Sequence, residues 1–153
     1  MPRKYTLQTV LKECEELRTQ LHEAEHLMGS ERVLFVDDEE ILAEWGKDVL
    51  HRLGYSVTAL KDATNALKLF SKDPSEFDIV VLDQTMPKMT GYMLAQELLK
   101  MRPDIPILLC TGHSDAVSPE AARKAGIKEF LMKPLGKEDL ATTLRKILDS
   151  AEK

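Results

Sequence analysis

The sequence predicts an α/β fold: a doubly wound, five-stranded parallel sheet of (βα)5 form preceded by an N-terminal amphipathic helix. Three observations carry this reading. From about Glu31 to the end, short apolar runs alternate five times with amphipathic stretches, the sequence form of βαβ units. The run Phe77–Leu82 (Phe-Asp-Ile-Val-Val-Leu) is nearly continuous in apolar residues, as a strand buried on both faces requires. Before Gly29-Ser30 the period is instead that of a heptad, so the chain divides into a helical segment, residues 1–29, and a body, residues 30–153. With 153 residues, 43% hydrophobic and 31% charged, one compact domain with an appendage is expected, and a second catalytic domain does not fit.

In the first segment Leu7, Val10, Cys14, Leu17, Leu21, Ala24 and Met28 follow a 3-4-3-4-3-4 spacing, the a/d seam of three heptads. A lone helix with one apolar stripe is marginal in water, so the stripe either packs back on its own domain, pairs with a second copy as a parallel coiled coil, or frays. Cys14 and Ala24 are weak seam residues. In the body, Arg32–Val36 reads as the first strand, followed by a helix from about Glu39 to Leu53 that stops at Gly54. Tyr55–Leu60 is the second strand, and Asp62 caps a helix that ends before Pro74. Phe77–Leu82 is the third strand, and a helix from about Tyr92 to Met101 stops at Pro103. Ile105–Cys110 is the fourth strand, Pro119–Ala125 a helix, Glu129–Met132 the fifth strand and Lys137–Leu148 the closing helix.

The net charge of −5, from 21 basic and 26 acidic residues, supplies no field for a phosphate backbone or an anionic membrane, so no nucleic acid and no direct membrane contact are expected. The opening Met-Pro-Arg-Lys carries no signal-peptide pattern, no apolar run nears the ~20 residues of a membrane span, and the two cysteines, Cys14 and Cys110, stand far apart. A reduced, cytoplasmic protein is expected. Cys-x-x-Cys and clustered Cys/His patterns are missing, so zinc is not expected.

Ligands of a doubly wound sheet bind beyond the carboxyl ends of its strands, and there the chain places Asp37 and Asp38 after the first strand, Asp83 after the third, Thr111 after the fourth and Lys133 after the fifth. An acidic pair in a loop is usually only a solvated turn or a helix cap. A third carboxylate at the neighbouring strand end changes that, because three repelling acids demand either a raised pKa or a cation, and hard oxygen ligands suit Mg2+. Lys133 adds a fixed positive charge and Thr111 a hydroxyl, so the rim is equipped to hold an anion bonded to Asp83, as phosphoryl transfer to a carboxylate requires. Gly91 and Gly112 leave room near the mouth of the site, although each reads equally well as a plain turn.

These residues resemble the receiver domains of two-component response regulators, over about Arg32 to Ile147. The likeness rests on Val36-Asp37-Asp38-Glu39, Leu82-Asp83, Met86-Pro87 with Gly91, Thr111-Gly112 and Lys133-Pro134. The resemblance implies a flavodoxin-like fold, Asp83 as phosphoacceptor, and Mg2+ held by Asp37, Asp38, Asp83 and the backbone carbonyl of Thr85. It further implies Thr111 and Lys133 as contacts to the phosphoryl oxygens, a cis peptide between Lys133 and Pro134, and Phe130 as the switch aromatic that answers Thr111. Phe130 also reads as a plain core residue of the fifth strand. A sensor histidine kinase or histidine phosphotransfer protein would be the donor. Few residues follow Leu148, so output is expected to pass to a separate downstream protein.

Gln84, Thr85 and His113 flank the expected path of an attacking water, and His113 and Thr85 are expected to set the lifetime of the phosphorylated state, although His113 reads equally as a solvated loop residue. His22, His26 and His51 are assigned to the surface. The stretches Pro103-Asp104-Ile105-Pro106-Ile107 and Cys110-Thr111-Gly112-His113-Ser114 are similar to receivers at the C-terminal end of hybrid histidine kinases, where a helical connector precedes the domain. The chain is read as a signalling phosphoacceptor that catalyses only its own phosphorylation and dephosphorylation. Two rival readings are a Mg-dependent phosphatase of the haloacid dehalogenase type and a non-phosphorylated coiled-coil adaptor. The first resembles a family with an Asp-x-Asp nucleophile motif, whereas Asp83-Gln84-Thr85 has threonine in the second acidic place. A flavodoxin-like redox protein is disfavoured because the two acids after the first strand would repel a flavin phosphate.

Overall fold

The computed structural model describes residues 6–112 and 117–151. The elements run α1 (Leu7–Leu27), β1 (Arg32–Val36), α2 (Glu40–Arg52), β2 (Ser56–Leu60), α3 (Ala63–Lys72), β3 (Ile79–Asp83), α4 (Gly91–Met101), β4 (Ile107–Thr111), α5 (Pro119–Ala125), β5 (Glu129–Met132) and α6 (Lys137–Ala151). All four strand pairings are parallel, in the spatial order β2-β1-β3-β4-β5. The expected flavodoxin-like class therefore stands, with the N-terminal helix in front of it.

Alternation along each strand sends successive side chains to opposite faces and creates two cores. Val33, Phe35, Ile79, Val81, Leu108 and Cys110 pack under α2 and α6 against Leu50, Leu140 and Leu144. Leu34, Val36, Val80, Leu82, Ile107 and Leu109 pack under α3, α4 and α5 against Ala66, Phe70, Leu94, Leu98 and Ala122. β1, β3 and β4 are thus apolar on both sides, which accounts for their unbroken apolar runs. Short caps set the helix starts: Asp62 accepts from the Thr64 amide at 2.7 Å, Thr90 from Met93 at 3.2 Å and Ser118 from Ala121 at 3.1 Å.

Two strand boundaries move toward the functional edge. The apolar runs place β3 at Phe77 and β4 at Ile105, but pairing begins at Ile79 and Ile107. Phe77 and Ile105 are buried without being in the ladder, and Pro106 has no N–H to donate to one. At the other end the ladder continues through Asp83, which pairs with Cys110, and through Thr111, which pairs with Met132. Both residues are therefore the last members of their strands rather than loop residues.

α1 also differs from expectation. It stops at Leu27, and Met28 is extended at φ −75° and ψ 153°, so the final a position of the heptad pattern falls outside the helix. The fold-back reading of its stripe does not hold, because Leu7, Leu17 and Leu21 are 75%, 58% and 63% exposed. The joint below the helix is tied down: the Gly29 amide donates to the Leu53 carbonyl at 3.0 Å, and Arg145 of α6 reaches the Met28 carbonyl at 3.4 Å. Arg145 also closes a short ion pair with Glu31 at 2.6 Å and donates to the Tyr55 hydroxyl at 3.2 Å. His26 and His51 lie on the surface as read, whereas the side chain of His22 lies outside the described residues.

Candidate functional site

The chain enters the sheet at β1, steps to β2 on one side and returns to β3 on the other, so a crevice opens where β1 and β3 end. Val36 and Leu82 are in register there, which sets Asp37, just past β1, beside Asp83, the last residue of β3. One carboxylate oxygen from each of Asp37, Asp38 and Asp83 falls within a 4.8 Å cluster. Asp37 and Asp83 are buried, and Asp38 is exposed at the rim. Asp37 is also aimed from below, since its Oδ1 accepts the Glu39 amide at 2.9 Å at the start of α2.

Lys133 closes the constellation from β5. Its amide donates to the Thr111 carbonyl at 2.8 Å, and the following peptide to Pro134 is cis, as the resemblance implies. Its Nζ lies 2.8 Å from Asp83 Oδ1 and 3.3 Å from Asp37 Oδ2. Among the described residues one ammonium thus pairs with two of three clustered carboxylates, and the charges do not balance. Burial, with the Asp37 and Asp38 carboxylates adding to it, pushes Asp83 up to about 6 despite the opposing pull of Lys133. For Lys133 burial works downward, but Asp83 and Asp37 more than offset it and hold the ammonium above its ordinary range. Lys133 is thus held between two carboxylates, while Asp83 stays short of positive charge.

Thr111 is buried at the end of β4, one residue beyond the Asp83–Cys110 pairing, and its Oγ1 donates to the Gly112 carbonyl at 3.2 Å. Cys110 beneath it faces the α2/α6 core, where burial pushes its thiol up to about 12, so it is a packing residue. Thr85 stands two residues past Asp83 with its side chain exposed. Phe130 is half-buried on β5, on the face covered by α5, opposite Leu109. The expectation for His113 lies outside the described residues.

Two residues have parts that sequence reading did not assign. Gln84 is buried and caps α4: its backbone carbonyl accepts the Gly91 amide at 3.1 Å and its Oε1 the Tyr92 amide at 2.8 Å. Its backbone and side-chain oxygens are thus both engaged with the start of α4. Gly91 sits against the backbone of the site, where a β-carbon would overlap the Asp83 carbonyl oxygen and come within 2.8 Å of Leu109 Cδ1. Proximity of this kind leaves no trace in local spacing. In the sequence Gly91 shows only as a turn residue near the mouth of the site and as a partner of the Met86-Pro87 pair, and the structure makes it the first residue of α4.

The donor set fits a hard divalent cation: clustered carboxylate oxygens, partly buried, carry more negative charge than Lys133 neutralises, and neither thiol nor imidazole is among them. Among the described residues no helix is long and apolar enough to cross a membrane.

Comparison with known proteins bears on this edge. The model of the response regulator receiver domain matches residues 33–145. The chemotaxis protein CheY of Thermotoga maritima is 33% identical over 76% of this chain and 96% of its own length. The sensor kinase CckA of Brucella abortus is 35% identical over 86% of this chain, of which the match spans 14% of the kinase. For the probable transcriptional regulator ycf27 of Porphyridium aerugineum the figures are 32%, 82% and 51%, so this chain spans about half or less of these two longer relatives. Among solved structures, a receiver domain protein from Clostridium thermocellum superposes with a TM-score of 0.76 at 28% identity, covering 80% of this chain and 97% of that one.

Proposed function

The chain belongs to the response regulator receiver family, and from that premise we propose that Asp83 accepts a phosphoryl group from a phosphohistidine and that the resulting charge switches the surface of the domain. The observation that carries this reading is the convergence of Asp37, Asp38 and Asp83 within 4.8 Å, with Lys133 Nζ 2.8 Å from the Asp83 oxygen. Asp83 is the nucleophile. Its oxygen forms the new bond to phosphorus as the bond from phosphorus to the donor imidazole nitrogen breaks, and no general base is needed because the carboxylate is already ionised above pH 6. Lys133, anchored through the Thr111 carbonyl, holds the carboxylate in place and stands ready to pair with a phosphoryl oxygen.

Asp37, Asp38 and Asp83, with the carbonyl of Thr85, would hold Mg2+, which when bound supplies positive charge against the phosphoryl oxygens. Thr111 would exchange its hydrogen bond to the Gly112 carbonyl for one to the phosphoryl group, and Phe130 would turn in response. A new charge of about −1.5 to −2 thereby biases a two-state surface built from α5, β5 and α6. The domain is a signalling module, and its donor is a histidine kinase or histidine phosphotransfer protein. A downstream protein reads the switched surface, and we place the exchange in the cytoplasm. Residues 30–153 form the receiver, and residues 1–29 a separate helical unit through which two copies pair.

Incubation with acetyl phosphate and Mg2+, followed by intact mass, tests the central assignment. A single phosphoryl adduct is expected in the wild type and none in Asp83→Asn. An adduct that persists in Asp83→Asn, or fails to form in the wild type, overturns it.

A further inference from the structure

The geometry points to a parallel, in-register, two-stranded coiled coil as the form in which α1 pairs with α1 of a second copy of this chain, with Cys14 facing Cys14 of the partner copy at the middle of the seam. This deepens the pairing proposed above for residues 1–29. The helix is 21 residues long, or about 31 Å. The exposed apolar side chains Leu7, Val10, Leu17 and Leu21 lie at a and d positions, and Leu11 at an e position widens the stripe. None of them belongs to either core of the body, so nothing among the described residues of its own chain covers the face.

Charge selects both occupant and direction. With Leu7 at a, Glu13 falls at g and Arg18 at the following e. In a parallel pair of identical helices g faces the next e of the partner, so Glu13 meets Arg18 twice, once on each side of the seam. In an antiparallel pair g faces g and e faces e, which sets Glu13 against Gln20 and Arg18 against Leu11, and neither charge finds its opposite. Self-complementarity in one direction only is the property expected of a homodimer seam. The exposed remainder, Gln8, Thr9, Lys12, Glu15, Glu16 and Thr19, is polar throughout, so the helix offers a single face to a partner.

Cys14 provides a direct reading of the register. It is exposed, whereas Cys110 is buried in the sheet, so under mild oxidation only a bond between two Cys14 residues can form. Two-electron oxidation of the two thiols by an added copper–phenanthroline and oxygen couple would form that S–S bond with release of two protons. Sedimentation of the full chain at about 100 µM, well above the range of a weak dimer, is expected to report a dimer, and oxidation is expected to convert it into a covalent dimer that Cys14→Ser cannot form. Leu17→Lys is expected to give a monomer whose receiver unfolds at the unchanged temperature, and Glu13→Lys to weaken the dimer at least tenfold, with Arg18→Glu added to it restoring pairing. A monomeric wild type, a dimer that survives Leu17→Lys, or a dimer that resists the Cys14 cross-link each overturns the proposal. Failure here is separable from failure of the phosphoacceptor reading, because Leu17→Lys keeps the Asp83 adduct if that reading is right.

Discussion

The two ends of the sheet handle charge in opposite ways. At the amino end, cations and anions are matched: Arg32 pairs with Asp78 at 3.2 Å, Arg145 with Glu31 at 2.6 Å, and Arg102 donates to the backbone carbonyls of Pro74 and Phe77. At the carboxyl end, among the described residues, three carboxylates cluster and one ammonium pairs with two of them. Correspondingly, the Arg145 guanidinium beside Glu31 holds that carboxyl below the usual range despite partial burial, whereas burial drives Asp83 up to about 6. The first arrangement stabilises the fold as it stands, and the second is left short of positive charge that a cation and a regulatory phosphoryl contact can exploit.

The contrast can be broken by mutation, and the largest effect is expected where the rim is held by contact rather than by charge. Gly91→Ala drives a methyl into the Asp83 carbonyl and should cost about 3 kcal/mol in urea unfolding, with the phosphoryl adduct formed more slowly in the fraction that folds. Asp83→Asn should do the reverse to stability. Removing an under-compensated charge is expected to raise the stability of the metal-free protein by about 2 kcal/mol at pH 7. A loss of stability in that variant would mean that Lys133 balances the rim after all.

The same imbalance sets a pH dependence. Asp83 is raised above its unfolded value, so its contribution is fully present below about pH 4 and is lost as the pH rises through about 6. Glu31 is lowered, so its contribution holds at neutral pH and is lost only as the pH falls below the ordinary carboxylate value. Thermal unfolding without divalent ions should therefore show stability rising from pH 7.5 to about 5 by about 1–2 kcal/mol, and falling again in stronger acid. Asp83→Asn should flatten the rise and leave the fall. At the balanced end, Arg145→Met leaves Glu31 without its partner and should cost about 1–2 kcal/mol in the same assay. The smallest change is Lys88→Gly: Lys88 holds φ +69° in the β3–α4 loop, and glycine there should gain about 0.5 kcal/mol without altering adduct formation.

Much of this arrangement was legible beforehand, and particular residues show why. Asp37, Asp38, Asp83 and Lys133 each follow or end an apolar run, and a parallel sheet brings every such position to one edge, so knowing the strands sufficed to gather them. Thr111 and Asp83 were placed one step too far out because apolarity marks burial, and Phe77 and Ile105 are buried ahead of their ladders. The capping part of Gln84 has no sequence signal because its partner amides lie on α4, at Gly91 and Tyr92, and the orphan N–H groups of a helix start become visible only once the helix is placed. The stripe of α1 was plain at the level of spacing, but whether its own domain would cover it was not.

By itself the sequence determined the order of elements, the period of each face and the residue types delivered to the strand ends, because periodicity, turns and caps are decided by neighbours within a few positions. The tertiary structure alone decided that β1 lies between β2 and β3, that the carboxylates come within 4.8 Å of one another, that Gly91 must lack a side chain and that α1 stands clear of the core. Those outcomes depend on excluded volume and on fields acting through space between residues distant in the chain, and no local pattern encodes a distance.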